Sequence, residues 1–284
     1  MKTLEFTITE QLNNKTVKYM LFDYFALSDK LVADLKKGEF IKVNEESCTV
    51  RKELKTGDIV KITIPETEKS DILPTKGKLD ILFEDEDILV LNKPANMPTH
   101  PTKYHLTDTL ANLVCGYMGE GFVFRAVNRL DKDTTGVVLV AKNRFSGEML
   151  NRQIRNKEIQ KTYMAICCGI LEENIIIEAN IKKETERGIK RIVSPDGQYA
   201  KTECFPVKSE NNCTLVKLCP KTGRTHQLRV HMAHMGHPLY GDYIYGREED
   251  TRTLLHCSQM EFTHPETKKK IHITAHLPDD FFIS

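Results

Sequence analysis

The chain has 284 residues, of which 40% are hydrophobic and 29% are charged, and its formal net charge is +1. This composition is typical of a soluble globular protein and excludes a disordered chain. No stretch approaches the ~20 apolar residues that a membrane helix needs, and the start of the chain lacks the apolar core of a signal peptide. We therefore expect a cytoplasmic protein without a membrane anchor, and the length favours two domains at roughly 150 residues each.

The small net charge hides an uneven distribution along the chain. Residues 1–92 carry 14 Lys/Arg and 18 Asp/Glu, whereas residues 141–231 carry 17 Lys/Arg and 10 Asp/Glu. A basic region in a nearly neutral protein suits a polyanionic partner such as nucleic acid, although charged residues also simply solvate a surface. The eight cysteines are scattered without a C-x-x-C pair, which indicates reduced thiols.

The first 74 residues predict a small unit that contains one helix and several short strands. Residues 29–37 place apolar side chains on one helical face, and Gly38 follows as a stop signal. Residues 40–43 and 54–62 have strand patterns. The polar stretch that follows, residues 65–78, predicts a linker. We therefore predict two domains, at residues 1–74 and 75–284.

The second part of the chain predicts interleaved helices and strands. Residues 137–141 are apolar on both faces, as in a central strand covered from both sides. Thr107 is the expected N-cap of a helix that extends through Tyr117. The remaining predicted elements are strands at 87–91, 161–167 and 213–219 and helices at 146–156 and 228–235. This order favours an α+β fold with a mixed sheet over a doubly wound one.

The densest polar cluster, residues 128–136 (NRLDKDTTG), directly precedes the predicted central strand. Loops on rigid scaffolds carry much of catalysis, so this position favours a functional site. A charged turn with compensating ion pairs has the same composition and is the alternative.

A second polar cluster occupies residues 221–237. It contains two arginines and four histidines: Arg224, Arg229, His226, His231, His234 and His237. The histidine spacing raises the alternative of a zinc hydrolase, but the usual zinc signatures are absent and the arginines would repel a cation. Histidines with structural hydrogen bonds are the other interpretation. Phosphate-loop, dinucleotide and serine-esterase motifs are absent as well, so we expect no metal and no cofactor.

Four segments, matching in order, resemble the pseudouridine synthases related to the ribosomal large-subunit enzymes. They are 87–94 (DILVLNKP), 129–136 (RLDKDTTG), 161–163 (KTY) and 222–238 (TGRTHQLRVHMAHMGHP), and Gly241-Asp242 and Leu255-His256 continue the match. The resemblance covers about residues 80–265. It implies a mainly antiparallel catalytic sheet and an isomerase that converts uridine to pseudouridine in RNA. The N-terminal unit is similar, at Gly38, Val43-Asn44 and Gly57-Asp58, to the small RNA-binding domain that many such enzymes share with a small-subunit ribosomal protein.

The resemblance also implies roles for individual residues. Asp131 matches the catalytic carboxylate, Arg224 the arginine that pairs with it, and Tyr163 the aromatic residue that packs on the target base and assists removal of its carbon 5 proton. The residues expected to contact RNA are Lys93, Arg129, Lys132, Thr135, Leu228 and Arg229. The target uridine must be flipped out of its stack, and Arg129 is the candidate to fill the vacated space.

The sequence departs from the family pattern at three positions. Asn128 replaces a common histidine, Thr135 a serine and Asn96 a glycine, and Asn96 is acceptable because asparagine tolerates a positive φ. The main alternative function is an RNA-binding protein that has the fold but no turnover. Ribosomal RNA is favoured slightly over transfer RNA as the substrate, and a monomer is expected.

Overall fold

A small antiparallel sheet lies within the first 64 residues of the structure, a computed structural model that describes residues 1–246 and 251–281. Its strands are β1 (Lys2–Thr7), β2 (Ile41–Val43), β3 (Glu46–Ser47) and β4 (Ile59–Ile64). They are ordered β1-β4-β2-β3. Leu4 is opposite Ile62 in the register, and both are buried because alternate residues of these strands face one core.

Two helices complete this N-terminal unit: α1 (Val17–Tyr19), which continues into a π-helical turn, and α2 (Asp29–Lys37). The prediction for α2 is confirmed, and Ser28 caps it by accepting a hydrogen bond from the Leu31 N–H. The strand predicted at 54–62 begins only at Ile59. The Asp58 carboxylate accepts the Lys55 N–H at 2.8 Å, which closes a turn before the strand.

The larger sheet is built from the rest of the chain. Its strands are β5 (Ile81–Glu84), β6 (Ile88–Lys93), β7 (Arg125–Ala126), β8 (Thr135–Ala141), β9 (Gln160–Cys168), β10 (Ile175–Glu178), β13 (Lys201–Glu210), β14 (Cys213–Pro220), β15 (Leu255–Thr263) and β16 (Lys270–Thr274). A separate hairpin consists of β11 (Ile181–Lys183) and β12 (Arg191–Val193). The main path is β10-β13-β14-β9-β15-β8-β6-β5, with β16 beside β15 and β7 beside β8. Every pair is antiparallel except β8 with β15, so the predicted α+β class with a mixed, mainly antiparallel sheet is confirmed.

Three helices accompany this sheet: α3 (Leu110–Met118), α4 (Arg144–Arg155) and α5 (Gln227–His234). The N-cap of α3 is Thr109 and not the predicted Thr107, because Thr109 and Asn112 form a reciprocal capping box. Helix α5 ends as predicted before Gly236, which has a φ of 82°.

Strand β8 lies in the middle of the larger sheet. All seven of its residues are buried, as predicted for a strand covered on both faces. It lies between β6 and β15, so the polar loop that precedes it opens at one end of the sheet. The fold therefore holds this loop on the most buried strand of the larger sheet.

Helix α4 joins the two sheets. Phe145 and Met149 on this helix are buried in the hydrophobic core of the N-terminal unit. Arg144 forms an ion pair with Asp34 of α2 at 2.7 Å, and the Glu148 carboxylate accepts hydrogen bonds from Ser28. The N-terminal unit thus packs directly on the larger one.

The division into domains at residues 1–74 and 75–284 stays a prediction. Residues 247–250 and 282–284 of the second predicted domain lie outside the described residues. Within the parts of the chain that the structure describes, no helix is long and apolar enough to cross a membrane.

Candidate active site

The polar loop at residues 128–135 is anchored at two residues that precede Asp131. The Asn128 amide donates to and accepts from the backbone of β8 at 3.0 and 2.9 Å. At the residue next to Asp131, the buried Thr99 hydroxyl accepts from the Leu130 N–H at 3.2 Å and donates to the Leu130 carbonyl at 2.8 Å. Asp131 therefore follows a segment whose backbone has little freedom.

Lys93 lies beneath this loop and has no exposed surface. Its Nζ donates to the carbonyls of Pro94, Met97 and Lys132 at 2.8, 2.6 and 3.0 Å. The prediction that Lys93 contacts RNA is wrong, because burial and these three bonds make it a clamp between two loops. Asn96, in the loop that contains Pro94 and Met97, has a φ of 58°, as the sequence led us to expect.

The end of the loop is also fixed. The Thr135 hydroxyl is hydrogen-bonded to His256 Nδ1 at 2.8 Å and is buried, so the prediction that Thr135 contacts RNA is wrong. Gly136 follows with a φ of 107°, and a Cβ there would meet the backbone of Cys257 at 2.2 Å. Glycine is required because β8 and β15 approach each other at this residue.

An open cavity of about 530 Å³ lies in front of Asp131, a size that suits a small ligand or a single flipped nucleotide. The side chain of Asp131 is 34% exposed. The walls come from the 128–134 loop, the start of β9 and the 220–229 segment, with Asp131, Tyr163, Leu228 and Arg229 among the lining residues. The topology therefore brings three of the four matching segments to one cavity.

The guanidinium that pairs with Asp131 belongs to Arg229. Arg229 Nη1 lies 3.5 Å from Asp131 Oδ2, and its Nε and Nη2 bind the fully buried Asp242 carboxylate at 2.7 Å each. Arg224 Nε donates instead to the Tyr199 carbonyl at 3.0 Å. The predicted pairing of Arg224 with Asp131 is therefore wrong. The reason is that α5 turns Arg229 inward, while Arg224 remains on the exposed turn before it. The expected contact of Arg229 with RNA stays a prediction, because its buried side chain lines the cavity.

Tyr163 and Leu228 form apolar walls of the cavity and are each 7% exposed. Burial raises the pKa of Tyr163 well above its ordinary value, and the neighbouring Cys257 and Asp131 act in the same direction. The phenol is therefore protonated at neutral pH.

The rim of the cavity is basic. Arg129, Lys132 and Arg224 are exposed and line the opening. Within residues 1–246 and 251–281, Arg129 has no hydrogen-bond or ion-pair partner. A cationic rim of this kind attracts phosphate groups.

The four histidines of the second polar cluster have separate roles. His226 contacts Tyr245, and His231 is buried between a threonine hydroxyl and a backbone carbonyl. His237 is hydrogen-bonded to another backbone carbonyl, and His234 is exposed at the end of α5. These nitrogen atoms bind different partners, so the arrangement argues against the zinc hydrolase.

Sequence reasoning missed four residues that shape the site: Thr99, Asp242, Tyr245 and His256. Asp242 and His256 lie in segments that continue the family match, which was the available signal. Thr99 and Tyr245 lie outside the matching motifs, and only the tertiary structure reveals their contacts.

The buried Lys93 makes stability depend on pH. Burial lowers its pKa from 10.5 to about 7, although Asp133 and Asp131 oppose the shift. Between pH 7 and about 10.5 the unfolded chain thus binds more protons than the folded chain, and the free energy of unfolding rises with pH, by about 2 kcal/mol from pH 7 to pH 9. We expect urea denaturation to show this rise in wild type and in the exposed Lys132→Met control. Its persistence in Lys93→Met would contradict the prediction.

Comparison with known proteins identifies the class. Residues 87–234 match the family described as RNA pseudouridylate synthase. "Uncharacterized RNA pseudouridine synthase YhcT" of Bacillus subtilis (strain 168) is 38% identical over 98% of this chain and 94% of its own length. "Ribosomal large subunit pseudouridine synthase D" of Pasteurella multocida (strain Pm70) is 34% identical over 85% of this chain and 81% of its own. The solved structure "Human RNA Pseudouridylate Synthase Domain Containing 1" has a TM-score of 0.61 at 25% identity and covers 72% of this chain and 85% of that one.

These matches place the chain among RNA-modifying isomerases. It belongs to the RNA pseudouridylate synthase family.

Proposed function

We propose that this enzyme isomerises specific uridines of large-subunit ribosomal RNA to pseudouridine, with Asp131 as its catalytic carboxylate. One observation carries the assignment: among the described residues, Asp131 is the only carboxylate that lines the cavity. It is anchored by the backbone of its loop, accompanied by a guanidinium and reachable from solvent. A reacting carboxylate needs these three properties.

The reaction exchanges one bond to the ribose for another. The bond from carbon 1 of the ribose to N1 of uracil breaks, the base turns, and carbon 5 bonds to the same ribose carbon. The carbon 5 proton leaves and N1 gains a proton, so the overall change is neutral in charge and redox state. The Asp131 carboxylate acts as nucleophile or base, and the reaction requires no cofactor.

Tyr163 and Leu228 are suited to hold the detached uracil. A flat ring and a branched apolar side chain on the cavity wall allow the base to turn without escaping, so that recombination competes with release. The raised pKa of Tyr163 keeps its hydroxyl protonated, so we assign its ring to packing rather than to removal of the carbon 5 proton.

The basic rim is suited to hold RNA with one nucleotide flipped out. Extrusion of a base costs a few kcal/mol, which contacts with the vacated stack and with phosphates must offset. Arg129 immediately precedes the Leu130-Asp131 segment, and its exposed guanidinium is suited to contact the bases beside the vacated position. Lys132 and Arg224 are placed for phosphate contacts, which makes binding dependent on salt. We assign residues 1–74 to an additional RNA-binding unit.

Two observations support ribosomal RNA as the substrate. Relatives at 31–35% identity are named ribosomal large subunit pseudouridine synthases C or D. The N-terminal unit, which is similar to a domain of a ribosomal protein, packs on the catalytic unit through α4. A large structured RNA bound at the cavity can therefore contact both units.

The substrate is tested with RNA from cells that lack the gene. Purified protein, in buffer with a metal chelator, is incubated with separated large-subunit ribosomal RNA, small-subunit ribosomal RNA and transfer RNA. We expect new pseudouridine at one or a few sites of the large-subunit RNA, mapped by carbodiimide labelling and primer extension. Modification of transfer RNA alone would contradict the substrate assignment, and no modification of any fraction would contradict the activity.

A further inference from the structure

His226 adopts an unusual backbone conformation beside the catalytic carboxylate. It precedes α5 with a φ of 56°, in the left-handed region that few residues other than glycine occupy. Its side chain is only 12% exposed and lines the cavity, with Nε2 at 3.9 Å from Asp131 Oδ2. A strained residue persists when its surroundings fix it in place, and here they fix it against Asp131.

Tyr245 holds the other side of the imidazole. Its hydroxyl lies 2.8 Å from His226 Nδ1, and the two rings meet edge to face at 5.7 Å. The same hydroxyl accepts a hydrogen bond from the Arg191 backbone N–H at 2.8 Å. Tyr245 in turn stacks on the Arg229 guanidinium at 5.2 Å.

This geometry favours one position of the proton on the imidazole ring. A backbone N–H can only donate, so Tyr245 must accept from Arg191, and its single proton remains for His226 Nδ1. The opposite arrangement would leave the hydroxyl proton without an acceptor among the described residues. Nδ1 is then the acceptor, and the proton of the neutral ring lies on Nε2, facing Asp131.

The charge of the ring follows from its surroundings. Burial lowers the pKa of His226, Arg229 and Arg191 act in the same direction, and Asp131 and Asp242 oppose them. The ring is therefore neutral at pH 7. A neutral donor can orient a carboxylate without transferring a proton to it.

We propose that His226 is a positioning residue whose Nε2–H, fixed by Tyr245, holds Asp131 in its reactive rotamer. The proposal rests on the proposed catalytic role of Asp131. His226 and Arg229 both approach Oδ2, which leaves Oδ1 as the reacting oxygen. The distance of 3.9 Å is longer than a hydrogen bond, and catalytic contacts of this kind shorten when the substrate is bound.

The test removes one hydroxyl group. Tyr245→Phe keeps the ring but frees Nδ1, so the tautomer is no longer fixed and Nδ1 becomes open to protonation. We expect the single-turnover rate to fall about 10- to 100-fold at unchanged RNA affinity. This is the scale for loss of one hydrogen bond to a charged group, here the bond from His226 Nε2–H to Asp131. We also expect the acidic limb of the pH–rate profile to move to higher pH. Tyr117→Phe, which loses a hydroxyl bond to Glu84 far from the cavity, is the matched control and should keep the wild-type rate.

A second measurement does not depend on turnover. Nitrogen-15 NMR of the histidine rings in the free protein, assigned with His226→Asn, should show the Nε2–H tautomer in wild type and a mixture in Tyr245→Phe. A wild-type ring that is protonated on Nδ1, or a Tyr245→Phe variant with an unchanged rate and profile, would overturn the proposal. Failure of the Asp131 assignment is distinguishable, because Asp131→Asn would then remain active whatever the tautomer.

Discussion

Replacement of Asp131 by asparagine is expected to abolish pseudouridine formation while the fold and the RNA affinity persist. The amide has nearly the same shape as the carboxylate but cannot attack the ribose or accept a proton. We expect the single-turnover rate to fall at least about 10⁴-fold, the scale seen when a catalytic group is removed. Asp131→Ala should show the same loss.

The fold should tolerate this change for reasons visible in the site. Asp131 is one-third exposed, and its ion pair at 3.5 Å is the weaker contact of Arg229, which keeps both bonds to Asp242. Removal of the Asp131 charge therefore strands no buried partner. RNA affinity should remain within a few-fold, because the basic residues of the rim are unchanged.

The matched control is Asp133→Asn, in the same loop. The Asp133 side chain does not line the cavity, and the Asp133 backbone carbonyl accepts a hydrogen bond from Arg252 at 3.2 Å. We expect this variant to keep activity within a few-fold. RNA binding is measured by filter retention, and the single-turnover rate is measured with enzyme in excess over RNA. Full activity of Asp131→Asn would refute the catalytic assignment, and equal losses in both variants would show that the loss is not specific to the carboxylate at position 131.

Arg229→Met is expected to lose both stability and activity. The substitution leaves the Asp242 carboxylate, which has no exposed surface, without its cation. Loss of one partner of a buried ion pair costs about 3–5 kcal/mol, and urea denaturation should show this decrease. Activity should fall in addition, because Asp131 loses the guanidinium that fixes its orientation.

A double variant separates the two effects. In Arg229→Met with Asp242→Asn no buried charge is stranded, and the asparagine oxygen can still accept the Ile244 and Tyr245 N–H groups that Asp242 binds. We expect most of the lost stability to return, but none of the activity. Arg224→Met should change stability by less than about 0.5 kcal/mol, as expected of an exposed side chain. If Arg229→Met unfolds at the wild-type urea concentration, or Arg224→Met is the destabilised variant, our assignment of the ion pair is wrong.

The sequence was most informative where structure depends on neighbours in the chain. Helix α2 has the predicted bounds because Ser28 and Gly38 are local signals for its start and end. Strand β8 was recognisable from five consecutive apolar residues, and the polar loop before it followed from that prediction. The N-cap of α3 was misplaced by two residues. Thr107 and Thr109 offer the same hydroxyl, but only Thr109 has a capping-box partner three residues later, Asn112.

The site was predicted less completely because proximity in the sequence does not decide contact. Tyr163, Leu228 and Asp131 do share one cavity, as the resemblance implied. Lys93 and Thr135 were expected to contact RNA, yet both are buried with hydrogen-bond partners. Polar residue type alone cannot separate a surface contact from a buried clamp.

The sequence by itself determined several of the elements, the fold class and the loop that carries the carboxylate, because periodicity, capping and turn formation act over a few residues. Only the tertiary structure decided that Arg229, rather than Arg224, faces Asp131. The two arginines are only five positions apart in the chain, but one lies on a buried helix and the other on an exposed turn. Which guanidinium gains an ion pair is set by burial and by the distant Asp242, and those depend on how the whole sheet packs.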